Sequence, residues 1–362
     1  MLKEEILNSD RPFVIAGPCS AETEEQVLDA CIRIAHYSDV RLLRAGIWKP
    51  RTRPDSFEGV GAEALPWLVE AGRQTGLKTT TEVANAKHVE EALKAGVDVL
   101  WIGARTTVNP FAVQEIADSL KGVSVPVMVK NPVNPDLSLW IGAFERFRNA
   151  GINDLVAIHR GFSIYRHPKY RNVPNWEIPI ALKEELPDVP MICDPSHITG
   201  NRDLLIEVSQ KALDLDFNGL MIEVHPTPDQ AWSDREQQIE PDRFGELLAT
   251  LIRRKKNLDP DIKEMMAEIR NKVKTLDDRI FELLSERMRL SQEMGGIKHE
   301  NNITILQQGH WSRILNERLN QADTYGLSQK FVRDLLDVIH QESIRHQTKV
   351  MNTENKNDKI DF

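Results

Sequence analysis

Strand-like and helix-like segments alternate eight times between residues 13 and 256, and that repetition fixes most of what this chain can become. The runs FVIAG (13–17), RLLRAG (41–46), LKTTTEV (77–83), VLWIGA (99–104), PVMVKN (126–131), LVAIHRG (155–161), PMICDP (190–195) and GLMIEVH (219–225) have the length and apolar content of buried strands. Helix-like stretches such as EEQVLDACIRIAHY, KHVEEALKAG and RDLLIEVSQKALDL lie between them. Strand then helix, eight times, is the pattern of a closed parallel (β/α)8 TIM barrel, an α/β fold. An open doubly wound sheet is the alternative, and eight regular units favour closure.

After RRKKNLDPD (253–261) the period changes. Met266, Ile269, Val273, Leu276, Ile280, Leu283, Leu290, Met294 and Ile297 follow three- and four-residue spacing, which predicts one long helix to about residue 298 with Pro260 near its first turn. Two further helices are expected near 304–322 and 328–348. The expected organisation is a barrel over 1–256, an all-α three-helix domain over 257–350 and a polar, disordered tail over 351–362. The 362 residues accommodate this, since a barrel takes about 250. A net charge of −9 argues against nucleic-acid or anionic-membrane partners. No apolar run approaches the roughly 20 residues of a membrane span, MLKEEILNSDRP lacks the form of a signal peptide, and three cysteines make no disulfide framework. A cytoplasmic protein is expected.

Barrel enzymes gather their chemistry where strands hand over to the following loops. Here those positions carry Cys19, Arg44, Glu82, Arg105, Lys130, Arg160, Asp194 with His197, and Glu223 with His225. One such residue is ordinarily a solvated loop polar; eight of eight point to a site. Arg44, Lys49, Arg51, Arg105, Lys130 and Arg160 form a cationic set. Converging cations repel unless an anion meets them, and the set implies a ligand of roughly five negative charges, such as two phosphorylated substrates, one also a carboxylate. Cys19, His197, Glu223 and Asp234 form a mixed-donor set for a divalent metal ion, and ligand softness does not choose among Mn, Fe, Co and Zn. The plainer readings are that Cys19 is simply buried, as Cys31 and Cys193 are expected to be, and that His197 caps a helix. The glycine run GVGAEA (59–64) follows a polar loop and not a strand, which argues against nucleotide binding.

AGPCS (16–20), RAGIWKPRT (44–52), GAR (103–105), VKNP (129–132), IHRG (158–161), DPSH (194–197), EVHP (223–226) and SD (233–234) resemble the 3-deoxy-D-arabino-heptulosonate-7-phosphate (DAHP) synthases of the type Iβ group, over roughly residues 10–255. KPRT disfavours the sister synthase of the eight-carbon sugar acid. The resemblance implies condensation of phosphoenolpyruvate with erythrose 4-phosphate. It makes Cys19, His197, Glu223 and Asp234 the metal ligands and gives phosphoenolpyruvate to Arg44, Lys49, Arg105, Lys130 and Arg160. Asp194 of DPSH joins the substrate-binding set, Arg51 and Thr52 take the aldose phosphate, and Lys49 is the expected proton donor. Arg53 stands where many relatives have Ser.

On the long helix, Arg287 falls on the apolar seam, where a lone cation is costly unless an anion meets it; a register-setting or snorkelling arginine is the alternative. Lys298 lies eleven residues on, about 16 Å along the same face, so both side chains could converge on a small dianion. Arg270, about 25 Å from Arg287, should serve a site completed by a second chain. Ser343 and Gln347 share a face of the last helix. IRNKVKTLDDRIFELLSERMRLSQEMGGIK (269–298) with HQESIRHQ (340–347) resembles the all-helical (AroQ-class) chorismate mutases. That resemblance implies an intertwined homodimer or larger homo-oligomer in which Arg270, Arg287, Lys298, Ser343 and Gln347 bind chorismate, with Lys298 and Gln347 at the ether oxygen. The sequence departs in the second helix, where ILQQGHW (305–311) offers Gln307, His310 and Trp311 in place of the family's Arg and Glu. A fusion of the two activities suggests feedback by prephenate or an aromatic amino acid. The alternatives are a helical domain that only dimerises and regulates, and a different sugar-phosphate aldolase using Lys130 as a Schiff base.

Overall fold

Eight parallel strands close on themselves in the computed structural model, which describes residues 1–50, 55–165, 169–254 and 259–353. The strands are β1 (Phe13–Gly17), β2 (Val40–Arg44), β3 (Lys78–Val83), β4 (Val99–Ile102), β5 (Val127–Lys130), β6 (Leu155–His159), β7 (Met191–Cys193) and β8 (Gly219–Glu223). Each pairs with its sequence neighbour, and the register Phe13↔Gly219 through Gly17↔Glu223 joins β1 to β8. A short helix α1 (Leu2–Leu7) precedes them. The outer helices are α2 (Glu24–Ala35), α3 (Leu65–Thr75), α4 (Ala86–Ala95), α5 (Pro110–Ser119), α6 (Leu137–Asn149), α7 (Glu177–Glu185), α8 (Leu205–Asp214) and α9 (Pro241–Thr250).

The period-two alternation of each strand sorts its residues into two cores. Val14, Ala16, Leu43, Leu100, Val129 and Ala157 face outward and pack under the helices. Phe13, Ile15, Leu42, Trp101, Met128 and Ile158 are among those that fill the barrel. Leu2 and Ile6 of α1 belong to that inner cluster, so α1 stoppers the end opposite the strand C-termini. Asp154, immediately before β6, accepts the amide hydrogens of Leu2 and Lys3, each at 2.7 Å, and meets the positive end of the helix with a charge.

Several strands stop earlier than their apolar runs suggest. VLWIGA ends as strand at Ile102, and Ala104–Thr107 is already a short helix. PMICDP ends at Cys193, because the Asp194 carboxylate accepts from the His197 amide at 3.1 Å and starts the helix Pro195–Thr199. Polar residues at the strand ends thus redirect the backbone as well as face the mouth.

The chain divides into two compact units, Met1–Lys256 and Asn257–Phe362. The second holds α10 (Pro260–Glu300), α11 (Gln308–Gln321) and α12 (Gln329–Thr353). Pro260 occupies the first turn of α10, where its missing N–H is not needed. α12 continues to Thr353, and residues 354–362, most of the expected polar tail, lie outside the described residues. Gly295 lets α10 and α12 approach: a Cβ there would stand 3.0 Å from the Cα of Gln347. The seam residues Ile269, Val273, Leu276, Ile280 and Leu283 are each half or more exposed in the single chain. No described helix is long and apolar enough to cross a membrane.

Replacing Asp154 with Ala should lower stability by about 1–3 kcal/mol, the worth of hydrogen bonds to a charged acceptor. Urea unfolding followed by tryptophan fluorescence measures this, since every tryptophan but Trp311 lies in the barrel unit.

Candidate active site

The C-terminal ends of the strands surround a cavity of about 230 Å³. Lys49, Arg105, Lys130, Arg160 and Arg171 line it, against the carboxylates Glu82 and Asp234 and the imidazole of His197. Trp101 on β4 lies beneath them. The Arg44 guanidinium stands 5.0 Å and the Lys130 ammonium 5.6 Å from its ring centroid, and its indole N–H donates to Glu82 at 2.9 Å. An aromatic face attracts both cations where water is scarce. Gly17 makes this approach possible. Its φ is +143°, and a Cβ would lie 2.1 Å from the Arg44 carbonyl oxygen, so only glycine lets β1 end there and turn toward Cys19.

Lys130 and His197 meet on Asp194. The buried carboxylate accepts from Lys130 Nζ at 2.9 Å, and His197 Nδ1 lies 2.8 Å from it. Burial opposes the charge on Asp194, yet His197 and Lys130 outweigh it and hold the carboxyl well below its ordinary range. Burial also lowers the His197 pKa, which favours a neutral imidazole with Nδ1–H toward Asp194 and an open lone pair on Nε2. Asp194, and not His197, is therefore the helix cap. Arg160 donates to Asn172 at 2.7 Å, and burial lowers its pKa to about 10, which leaves it charged at neutral pH.

Of the four expected metal ligands, Cys19 Sγ lies 3.4 Å from Asp234 Oδ2, and His197 Nε2 lies 3.8 Å from Glu223 Oε1. That Glu223 oxygen is buried and receives no hydrogen bond, although Arg44 Nη1 is 3.2 Å away. Thiol, imidazole and two carboxylates with an undersatisfied buried oxygen suit a divalent ion chemically. As spaced here, no three His, Cys, Asp or Glu side chains among the described residues are close enough to hold one. Cations stand among these donors. The Lys49 ammonium stands 2.8 Å from Cys19 Sγ, and Arg171 donates to Asp234 at 2.9 Å. Burial, with Glu223 and Asp234 nearby, pushes the Cys19 thiol up to about 12, so an ion binding there must displace its proton. Cys31 and Cys193 are buried as expected.

Arg171 and Asn172, in the loop between β6 and α7, contribute to the mouth without having been signalled by any strand end. Arg51 and Thr52 lie outside the described residues.

In the helical unit, Arg287 bonds to Ser343, and Lys298 donates to Gln347 Oε1 at 2.9 Å and to the Ile305 carbonyl at 2.7 Å. Ser343 and Gln347 are buried. The two cations therefore share one face with α12, as their spacing suggested. Arg270 is exposed in the single chain. The second helix differs from expectation. His310 is exposed beside Arg313, and Gln307 precedes the helix, whereas Trp311 stacks on His340 of α12 with ring centroids 3.8 Å apart. α11 begins only at Gln308, so its first turn directs Trp311 inward and His310 out.

Residues 3–259 match the model of the DAHP synthetase I family. The chain belongs to that family. Residues 269–348 match the chorismate mutase type II family. A phospho-2-dehydro-3-deoxyheptonate aldolase of Thermotoga maritima is 32% identical over 235 residues, 65% of this chain and 67% of that protein. A 2-dehydro-3-deoxyphosphooctonate aldolase of Dechloromonas aromatica is 29% identical over 67% of this chain and 91% of its own length. A crystal structure of the Thermotoga maritima DAHP synthase superposes with a TM-score of 0.59 at 28% identity, covering 67% of this chain and 68% of that one. The two domains make the protein a bifunctional enzyme, an aldolase-type transferase joined to an isomerase.

Behind Arg160, His159 is fully buried among Trp140, Phe162, Trp176 and Phe217, and burial, with Arg160 beside it, lowers its pKa to about 3. The unfolded chain takes up that proton near the ordinary histidine pKa of about 6.5. Stability contributed by neutral His159 is therefore present above about 6.5 and lost as pH falls toward 3. His159→Phe should flatten this acid limb in thermal melts recorded from pH 7 to 4; an unchanged slope would exclude His159 as a contributor.

Proposed function

We propose that the barrel condenses phosphoenolpyruvate with erythrose 4-phosphate to DAHP and phosphate, in the manner of the type Iβ synthases, with a divalent ion held by Cys19, His197, Glu223 and Asp234. The observation that carries this is that, among the described residues, five cations converge on a cavity lined by two carboxylates. Their mutual repulsion in a partly desolvated site is relieved by a polyanionic ligand.

Arg105, Lys130 and Arg160, with Arg44 behind them, hold phosphoenolpyruvate, and Arg51 and Thr52 receive the aldose phosphate. Asp194 binds no anion itself. It fixes Lys130 and orients His197. C3 of phosphoenolpyruvate attacks the aldehyde carbon, water adds at C2, and phosphate leaves by C–O cleavage. When bound, the ion polarises the aldehyde oxygen. Lys49, kept protonated because the Glu223 and Asp234 carboxylates outweigh the cost of its burial, donates a proton to the developing alkoxide. Lys130 is ion-paired with Asp194, which suits a cationic binding group and not a Schiff-base nucleophile.

For the helical domain, we propose conversion of chorismate to prephenate at Arg287, Lys298, Ser343 and Gln347. Two cations with two hydrogen-bonding neutral groups suit a dianion whose rearrangement needs only a folded conformer and stabilisation of the ether oxygen by Lys298 and Gln347. The open seam of α10 supports a homodimer that brings Arg270 from the second chain. Prephenate feeding back on the synthase, in a cytoplasmic biosynthetic setting, completes the reading.

Phosphate release from the two substrates should stop with EDTA and return with added Mn, Fe, Co or Zn. Borohydride trapping of substrate on Lys130 would instead establish the Schiff-base route. Arg287→Ala should lower kcat/KM for prephenate formation at least about 100-fold; unchanged turnover removes the mutase mechanism. In the same assays, a synthase rate that stays flat across a prephenate titration removes the feedback.

A further inference from the structure

Gln237 and Gln238 are adjacent, uncharged and essentially inaccessible, at 1% and 0% exposure. Neither has a role in the chemistry above. Gln238 Oε1 accepts from the Cys19 amide at 2.9 Å, and its Nε2 donates at 2.9 Å to the carbonyl of Ser233, the residue before Asp234. Gln237 Nε2 donates to Glu223 Oε2 at 2.6 Å, and its Oε1 accepts from Arg171 Nη1 at 2.7 Å. The same Arg171 nitrogen donates to Asp234 Oδ1 at 2.9 Å. Two consecutive side chains thus reach the loops after β1 and β8 and the segment bearing Asp234.

The backbone explains how neighbours can do this. Ile239 bridges in parallel to Val224, with its amide donating to the Glu223 carbonyl at 3.1 Å and its carbonyl accepting from His225 at 3.0 Å. That fastens the segment beside β8. Gln238 is extended there, so consecutive side chains diverge to opposite sides.

We propose that Gln237 and Gln238 are positioning residues, a clasp that holds the segments bearing Cys19, Glu223 and Asp234 beside one another, so that a divalent ion draws their side chains together without moving the backbone. This rests on the reading of those side chains as ion ligands. A carboxamide suits the task because it carries a donor and an acceptor at one end of a short stem, and so ties two groups together. It brings no charge, so it neither competes with the ion nor repels the carboxylates. Gln237 also divides the two oxygens of Glu223. Oε2 is anchored, while Oε1, 3.8 Å from His197 Nε2 and 3.2 Å from Arg44 Nη1, receives no hydrogen bond. Partners of this kind set ligand orientation and strongly affect affinity.

The test uses the full-length chain and the variants Gln237→Met and Gln238→Met, which keep length and lose both hydrogen bonds. Mn2+ affinity is measured by chelator competition, and the Co2+-loaded proteins are compared by absorption, where the thiolate band reports Cys19. Affinity should fall about 10- to 100-fold in each variant, with the thiolate band weakened most in Gln238→Met. At saturating metal, kcat for phosphate release should fall in Gln238→Met while KM for phosphoenolpyruvate holds, because Gln238 bonds only to the Cys19 amide and the Ser233 carbonyl and touches none of the cavity's cations. Thermal melts and mutase turnover serve as folding controls. If a methionine variant does not fold, Gln237→Asn is read instead: it keeps a neutral amide but is too short to span Glu223 and Arg171, and the same loss of affinity is expected. Wild-type affinity in the folded variants overturns the clasp and leaves the ion reading standing. A wild-type protein that binds no divalent ion overturns both.

Discussion

Repulsion among like charges at the barrel mouth is the constraint on which the rest of the site depends. Two unit charges 4 Å apart interact by about 4 kcal/mol at the effective dielectric near a protein surface. The five cations that the described residues place around about 230 Å³ therefore cannot be left unanswered. Each solution found here is local. Asp194 takes Lys130, Glu223 faces Arg44, Asp234 takes Arg171, and the Trp101 ring lies under Arg44 and Lys130. What remains among the described residues is a surplus of positive charge directed into the cavity. The same cations crowd the Cys19 thiol and the Glu223 and Asp234 carboxylates.

The helical domain meets a smaller version of the problem by different means. Arg287 and Lys298 face neutral partners, Ser343 and Gln347, so their charges are hydrogen-bonded without being cancelled. A dianion entering there gains both charges. The stack of Trp311 on His340 gives the same unit a flat, weakly polar contact between α11 and α12.

The fold was legible because burial on both faces makes each strand a short apolar run, and eight such runs stand out between amphipathic helices. The strand-end residues were legible for the same reason: a polar group closing an apolar run is a visible break. Arg171 carries no such mark. It sits in KYRN, in the loop between β6 and α7, and lines the mouth only in the folded chain. Gln237 and Gln238 look like surface residues in a charged stretch, SDREQQIE, until the pairing of Ile239 with Val224 buries them. In the second helix, sequence spacing could not say whether His310 or Trp311 points inward, since this turns on where the first helical turn begins.

The sequence by itself determined the closed barrel, the long helix after it, and the set of cations and donor side chains available at the strand ends. These follow from periodicity and from residue type, which are local properties. Only the tertiary structure decided which charge answers which. Lys49 stands against Cys19 across 30 positions of sequence, and Arg171 holds Asp234 across 63. Coulombic pairing depends on distance in space, and chain spacing between residues on different strands does not encode it.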